Sequence, residues 1–221
     1  MKPWETLDAV TTPDGTWLEL RRHDGDYVIR ADGFDLMTSR MHGSEAAMMA
    51  YACPQPKADA CILVGGLGMG YTLRAALDLL PPTASVVVSE LNPAVVTWNR
   101  GPLGPLAGDP LDDPRVSLDV GDVANVMRRH EGHFDAILLD VDNGPVALAQ
   151  GANGWLYARA GLAAAHRALR RGGALAVWSA GGEPSFAERL RAVGFEPETH
   201  IVRAREGGKG PKHVVFVGRV G

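Results

Sequence analysis

The segment that decides the fold is Cys61-Ile62-Leu63-Val64-Gly65-Gly66-Leu67-Gly68-Met69-Gly70, in which an apolar strand runs directly into a glycine-rich turn. A helical pattern begins immediately afterwards, at Tyr71. Glycines are needed in such a turn because the backbone must bend sharply and let a nucleoside lie against it without an intervening Cβ. A strand, a glycine loop and a helix in this order predict the nucleotide-binding start of an α/β sheet.

From Ala60 onward, short apolar runs alternate with helical patterns, which is typical of a parallel sheet with helices on both faces. The predicted strands are Cys61–Val64, Val86–Ser89, Val116–Val120, Ala136–Leu139 and Ala174–Trp178. The predicted helices are Tyr71–Leu80, Pro93–Asn99, Val123–His130, Ala158–Leu169 and Pro184–Val193, with Pro81-Pro82 and Gly172-Gly173 ending two of them. Two β-rich segments, Glu196–Arg203 and Val214–Gly218, then predict a closing hairpin. The pattern predicts the Rossmann-like fold of S-adenosylmethionine (AdoMet) transferases, with a mostly parallel seven-stranded sheet that ends in a β-hairpin.

The first part of the chain predicts a different, smaller module. Trp17–Arg22 and Tyr27–Arg30 flank a turn that contains Asp-Gly, which favours a β-hairpin. A helix is predicted from Gly43 to Tyr51, with Ser44 as its N-cap. We therefore divide the chain into an N-terminal β-rich module, residues 1–58, and a nucleotide-binding domain, residues 59–221. The module contains several methionines, and we expect it to cover the carboxyl edge of the sheet or to form a homodimer interface.

The composition excludes several classes of protein. The net charge of −4 and the lack of a basic cluster argue against nucleic acid as a partner and fit a small or cationic molecule better. No apolar run is long enough for a membrane span, and the N-terminus shows no apolar leader, so a cytoplasmic protein is expected. The two cysteines and seven histidines show no metal-site spacing, so no metal is expected.

Two acids at strand ends suit a nucleoside. Glu90 ends the second strand of the domain, twenty residues after Gly70, where a carboxylate can accept both ribose hydroxyls; the alternative is an exposed strand-end acid. Asp122 follows the third strand, where it can receive an adenine amino group, cap the next helix, or do both. Gly66, Gly68, Met69 and Gly70 would form the loop against this nucleoside. A dinucleotide is less favoured, because the third glycine of GxGxxG would fall on Tyr71.

A pair of acids, Asp140 and Asp142, follows the fourth strand at the edge where ligands bind in this fold. Neighbouring carboxylates repel each other unless a cation or a shared proton relieves the repulsion, so they are candidates for amine binding and catalysis. The alternative is structural, with turn formation through Asp142-Asn143-Gly144. His42 and Glu45 lie before the glycine strand and are interpreted as a solvated loop and helix cap, with a position that closes the pocket as the alternative. Gln150, Asn153 and Trp155 belong to a loop long enough to act as a lid, and Trp155 is alternatively a packing anchor.

Several motifs follow one another along the chain. They are Gly68-Met69-Gly70-Tyr71-Thr72-Leu73-Arg74, Ser89-Glu90-Leu91-Asn92-Pro93, Asp112-Asp113-Pro114-Arg115-Val116, Gly121-Asp122, Phe134-Asp135-Ala136-Ile137-Leu138-Leu139-Asp140 and Leu156-Tyr157-Ala158-Arg159. In these motifs the chain resembles, from about Leu36 to Gly173, the spermidine synthases, which are polyamine aminopropyltransferases. The resemblance implies that Glu90 binds ribose, that Asp122 binds adenine and that Asp140 orients and deprotonates an attacking amine.

The sequence also departs from this family. The acid that holds the aminopropyl ammonium of decarboxylated AdoMet in the family is replaced by Met69 or Gly68, depending on the gap. The leading hypothesis is a spermidine-synthase-like transferase that uses decarboxylated AdoMet or AdoMet as donor substrate and a small-molecule amine as acceptor. The first alternative is an AdoMet-dependent methyltransferase acting on a small molecule. The second is a nucleotide-binding module without catalysis.

Overall fold

The structure is a computed structural model that describes residues 3–13, 15–141, 145, 154–205 and 209–221. Within these ranges the chain begins with an antiparallel sheet in the order β1-β2-β3-β4. Its strands are β1 (Glu5–Thr11), β2 (Trp17–His23), β3 (Asp26–Ala31) and β4 (Phe34–Thr38). The hairpin expected from sequence is β2-β3. No helix in the described ranges has the length and apolar character that a bilayer span requires.

The rest of the chain alternates strands and helices, as expected. The first elements are α1 (Gly43–Ala52), β5 (Cys61–Gly65), α2 (Tyr71–Leu79), β6 (Ser85–Glu90), α3 (Pro93–Asn99), β7 (Val116–Val120) and α4 (Val123–Arg129). The later elements are β8 (Phe134–Leu139), α5 (Gly154–Tyr157), α6 (Arg159–Ala168), β9 (Leu169–Ser179), α7 (Pro184–Arg191), β10 (Phe195–Arg205) and β11 (Lys209–Val220). In the described part of the chain they form a seven-stranded sheet of order β10-β11-β9-β8-β5-β6-β7. Only β11 runs antiparallel to its neighbours, so the Rossmann-like α/β fold with a closing hairpin is confirmed.

One predicted helix end is wrong. Gly172 and Gly173 do not end α6, which stops at Ala168 and passes directly into β9. The two glycines lie inside β9, where the pairing register with β8 shifts. Gly172 has φ of +76°, a conformation that side chains with a Cβ rarely adopt. The glycines therefore allow an irregularity at the start of β9. In the amino-acid sequence, two glycines with this role look the same as two glycines that end a helix.

The predicted cap of α1 is also wrong. The helix begins at Gly43, and the residue at the N-cap position is His42, whose side chain makes no capping hydrogen bond. Ser44 lies inside the first turn and is fully buried. Its hydroxyl contacts the side chains of Glu45, His213 and Trp178 and does not cap the backbone N–H groups of the first turn.

The N-terminal sheet contacts the glycine loop and helices α2 and α3, and it shares one apolar core with the larger sheet. Leu18, Leu20 and Ile29 belong to the same buried cluster as Met48 and Met69. Polar contacts join the two parts as well, since the indole Nε1 of Trp98 donates to Asp8 Oδ2 at 2.7 Å and Tyr71 donates to the carbonyl of Ser39 at 3.3 Å. Helix α1 packs against α2 and β9, so it lies on the larger sheet. The division at residue 58 stays a prediction.

Candidate active site

The candidate site lies at the carboxyl edge of the sheet, around the end of β5. Strand β5 pairs with β6 on one side and with β8 on the other, so the chain connections diverge at this point. Open α/β sheets bind ligands in the crevice that such a divergence leaves. The backbone closes tightly here, because the amide of Asp140 donates to Gly65 O and the amide of Gly66 donates to Ser89 O, both at 2.9 Å.

The glycine loop requires its glycines. Gly66, Gly68 and Gly70 have φ of +89°, +53° and +84°, in the left-handed region that favours glycine. A Cβ added to Gly66 would lie 2.2 Å from the backbone oxygen of Asp140, which leaves no room for any side chain. The loop therefore abuts the strand end that carries the candidate catalytic acid.

Met69 and Gly68, the two positions expected to replace the loop acid, have different surroundings. Met69 is fully buried and packs in the apolar core. Gly68 lies beneath the N-terminal sheet, since a Cβ added to it would lie 2.8 Å from Cε of Met37 on β4. Neither residue supplies a charge to the site, which agrees with the sequence-based expectation that the usual ammonium contact is missing.

Glu90 connects the glycine loop to the start of α3. Its carboxylate accepts the backbone N–H of Leu67 at 2.9 Å and that of Asn92 at 2.8 Å, and only 8% of the residue is exposed. These charge-assisted bonds offset the cost of burying the carboxylate. Two exposed apolar side chains lie beside Glu90. Leu91 is 65% exposed, and Val120, at the end of β7, is 53% exposed. Glu90 is therefore not a free strand-end acid.

Asp122 caps α4, as one of its two sequence-based interpretations predicted. Its Oδ1 accepts the backbone N–H of Ala124 at 2.8 Å. The residue is exposed at the edge of the sheet. A carboxylate has capacity for further hydrogen bonds, so this cap is compatible with the expected contact to adenine.

Asp140 directly follows β8 and is half-buried. Its Oδ2 accepts the hydroxyl of Thr72, in the first turn of α2, at 2.5 Å. Burial raises the pKa of Asp140 to about 6, and the hydrogen bond from Thr72 opposes the rise. A carboxyl with such a pKa exchanges protons near neutral pH, as a general base must. Asp142, the other predicted catalytic acid, lies outside the described residues.

Glu45 is a second carboxyl at this site, and its interpretation as part of a solvated loop and cap is wrong. The residue is only 5% exposed. Burial is the main cause that raises the pKa of Glu45 to about 7, and the charge of Asp140 raises it further. The signal was present in the sequence, because Met48, Met49 and Ala52 follow at helical spacing and mark the buried face of α1.

The remaining predicted residues lie around this centre. His42 stacks on Tyr71 with ring centroids 4.0 Å apart. Trp155 packs beneath the guanidinium of Arg128 at 3.9 Å, which supports its role as a packing anchor. Gln150 and Asn153 lie outside the described residues. Among the residues that the structure describes, no group of three or more His, Cys, Asp or Glu side chains could hold a metal ion.

Comparison with known proteins places these features in one family. The family profile of the spermine/spermidine synthase domain matches residues 43–187. A polyamine aminopropyltransferase of Thermoanaerobacter sp. (strain X514) is 28% identical over 144 residues, which cover 63% of this chain and 50% of the relative. A spermidine synthase of Dictyostelium discoideum is 34% identical over 123 residues, which cover 56% of this chain and 40% of the relative. The chain thus spans about half the length of these relatives or less.

Solved structures show the same fold over nearly the whole chain. The spermidine synthase of Thermotoga maritima superposes with a TM-score of 0.72 at 17% identity, over 98% of this chain and 72% of the other. A spermidine synthase in complex with the transition-state analogue AdoDATO gives the same values. A probable spermidine synthase of Corynebacterium glutamicum gives 0.67 at 16% identity, over 99% of this chain and 81% of the other. At these identities the likeness shows the fold.

Proposed function

Because the chain belongs to the spermine/spermidine synthase family, we propose that it transfers an aminopropyl group from an adenosyl sulfonium donor to an amine. The observation that carries the proposal is the contact between the donor loop and the acid, where Gly66 leaves no space for a Cβ against the backbone of Asp140. A donor lying along the loop would therefore present its sulfonium side directly to Asp140.

The donor's nucleoside would lie between Glu90 and Asp122. Glu90 is already fixed by two backbone N–H groups, so its carboxylate would receive ribose hydroxyls without a further loss of side-chain entropy. The exposed side chains of Leu91 and Val120 would cover the faces of an apolar base. Asp122 would accept the amino group at its edge.

The acceptor amine would bind at Asp140. An alkyl amine is protonated near neutral pH and must lose a proton to expose the lone pair that attacks carbon. As the new N–C bond forms, the C–S bond of the donor breaks and leaves a neutral thioether, and Asp140 takes the proton from nitrogen. Thr72 holds the Asp140 carboxylate through its hydroxyl, so the geometry of attack is fixed by α2 and β8 together.

Glu45 and Asp140, which we call the carboxyl pair, also favour a decarboxylated donor, although the loop acid of the family is replaced. AdoMet carries a carboxylate close to its ammonium, whereas decarboxylated AdoMet carries the ammonium alone. A third carboxylate beside Glu45 and Asp140 would add like-charge repulsion at a site where the charge of Asp140 already raises the pKa of Glu45.

Calorimetric titration with the two donors tests this proposal. We expect decarboxylated AdoMet to bind at least tenfold more tightly than AdoMet, as a like-charge contact of about 1.4 kcal/mol or more requires. Asp135→Asn is the matched control, because Asp135 lies at the opposite end of β8 and pairs with Arg170 at 2.7 Å. That variant should keep the preference. Tighter binding of AdoMet, with methyl transfer to an acceptor, would overturn the proposal in favour of a methyltransferase.

A further inference from the structure

A chain of hydrogen bonds leads from Glu45 away from the site. The hydroxyl oxygen of Ser44 lies 2.6 Å from Glu45 Oε2 and 2.8 Å from Nδ1 of His213 on β11. It also receives the indole Nε1–H of Trp178, on β9, at 3.0 Å. Ser44 is fully buried, whereas His213 is half-buried. The chain therefore connects a buried carboxyl to a ring that reaches the surface.

The hydroxyl of Ser44 can satisfy these three partners in two ways. It has one hydrogen to donate and two lone pairs to accept, and Trp178 always uses one lone pair. In the first arrangement Ser44 donates to ionised Glu45 and accepts from Nδ1–H of His213. In the second arrangement protonated Glu45 donates to Ser44, and Ser44 donates to bare Nδ1 of His213. The protonation state of Glu45 therefore determines the tautomer of neutral His213.

We propose that Ser44 and His213 form a proton relay through which Glu45 releases its proton to solvent when a cationic amine binds beside Asp140. The Glu45 O–H bond breaks as the Ser44 hydroxyl accepts that proton, and the hydroxyl passes its own hydrogen to Nδ1 of His213. The ring, now carrying two N–H groups, gives the Nε2 proton to water. Every bond that breaks is matched by one that forms, and no co-reactant is needed.

The relay rests on the proposed function, because the binding of the acceptor amine is what displaces the proton. A protonated amine gains full attraction from the carboxyl pair only when both carboxyls are ionised, so its binding expels the proton that the empty pair retains. Burial and the charge of Asp140 both raise the pKa of Glu45, so in this proposal Glu45 is the group that holds the proton. Burial lowers the pKa of His213, so the ring is neutral while Glu45 titrates and can accept a proton transiently.

The other charged groups around α1 do not replace this route. Tyr71 on α2 faces Glu45, but burial raises the pKa of its phenol, which keeps it protonated. His42 stacks on the same tyrosine ring. At the far end of the helix, His200 on β10 stacks on Tyr51, and Arg219 on β11 donates to backbone carbonyls of residues 51 and 52. Ser44 is the residue of α1 whose hydrogen bonds join Glu45 to a titratable ring.

Nitrogen-15 NMR of the histidine rings tests the relay without any substrate. In the wild-type protein His213 should change from the Nε2–H to the Nδ1–H tautomer between about pH 6 and about pH 8, following Glu45. The signal is assigned by its loss in His213→Gln. His166, which packs on Phe195 away from this chain of hydrogen bonds, is the internal control and should keep its tautomer. A single His213 tautomer across this range would overturn the proposal.

Three further variants separate the relay from a merely structural role. Ser44→Ala removes the link and Glu45→Gln removes the titrating group, so each should abolish the tautomer change of His213. Ser44→Thr restores the hydroxyl and should restore the change. An unaltered change in Glu45→Gln would mean that another group controls the ring, which contradicts the relay.

Kinetic measurements distinguish this inference from the proposed function. If the protein transfers aminopropyl groups, Ser44→Ala should lower turnover about tenfold or more while donor affinity is unchanged, and Ser44→Thr should recover most of it. A tautomer change without any transfer activity would support the relay and remove the proposed function. Transfer activity with no tautomer change would support the proposed function and overturn the relay.

Discussion

Glu45→Gln should make the protein more stable at alkaline pH, and the size of the effect follows from burial. The pKa of Glu45 rises from 4.5 to about 7 because of burial first and the charge of Asp140 second. The folded protein therefore holds a proton on Glu45 that the unfolded chain has already released between about pH 4.5 and about pH 7. In this window the folded state binds more protons, so the free energy of unfolding falls as the pH rises and is lowest above it.

The displacement of the pKa of Glu45 corresponds to roughly 3 kcal/mol lost on ionisation, at about 1.4 kcal/mol for each pKa unit. Glutamine is neutral and can still accept the hydroxyl of Ser44, so Glu45→Gln should remove most of this loss. We expect the variant to match the wild type near pH 5 and to exceed it by about 1–3 kcal/mol near pH 8.

Urea unfolding at several pH values measures this difference, provided that two spectroscopic probes give coincident transitions. Glu188→Gln is the matched control, because Glu188 is an exposed glutamate on α7. It should follow the wild-type curve at every pH. If Glu45→Gln is equally destabilised at both ends of the range, Glu45 is ionised and well paired in the folded protein, and the carboxyl pair described above does not exist.

Three other substitutions examine the rest of the site. Asp140→Asn should leave donor affinity nearly unchanged and lower turnover by about 10²–10⁴-fold, whereas a purely structural acid would lower the melting temperature without this selective loss. Glu90→Ala should weaken the binding of methylthioadenosine by roughly 1–3 kcal/mol in calorimetry, and unchanged affinity would remove the ribose assignment. Gly66→Ala should destabilise the protein by about 2 kcal/mol or more in urea unfolding, because its Cβ would overlap the backbone oxygen of Asp140 at 2.2 Å. Gly33→Ala is its control, since Gly33 has a similar φ but open space around its Cβ position, so a similar loss in both variants would show that φ alone matters.

The larger domain could be predicted from the sequence because its signals are local. Apolar runs, a glycine loop at Gly66–Gly70 and strand-end acids each lie within a few residues of the element that they mark. The strands β1 and β4 were not predicted, because neither contains a fully buried residue and both are defined by pairing with β2 and β3. Pairing between distant segments leaves little pattern in either segment alone.

The positions of the candidate site residues were predicted in part, for the same reason. Glu90 ends its strand, and Asp122 and Asp140 lie within two residues of theirs, so their position at the carboxyl edge follows from strand prediction alone. Glu45 joins the candidate site only because α1 packs on the sheet. His213, which contacts Ser44, lies 169 residues from it along the chain. The helical spacing of the methionines after Glu45 showed which face is buried, but not what that face meets.

We propose above that this chain moves an aminopropyl group to an amine at Asp140. The most direct test is to incubate the wild type, Asp140→Asn and the control Asp135→Asn with decarboxylated AdoMet and a panel of di- and polyamines. Mass spectrometry then follows methylthioadenosine and the extended amine. We expect the wild type to form the two products in equal amounts, and Asp135→Asn to form as much of each as the wild type. Asp140→Asn should form about 10²–10⁴-fold less of both. Equal product formation by the wild type and Asp140→Asn would contradict the catalytic role of Asp140. If no acceptor yields an extended amine while AdoMet supports methyl transfer, aminopropyl transfer itself is contradicted.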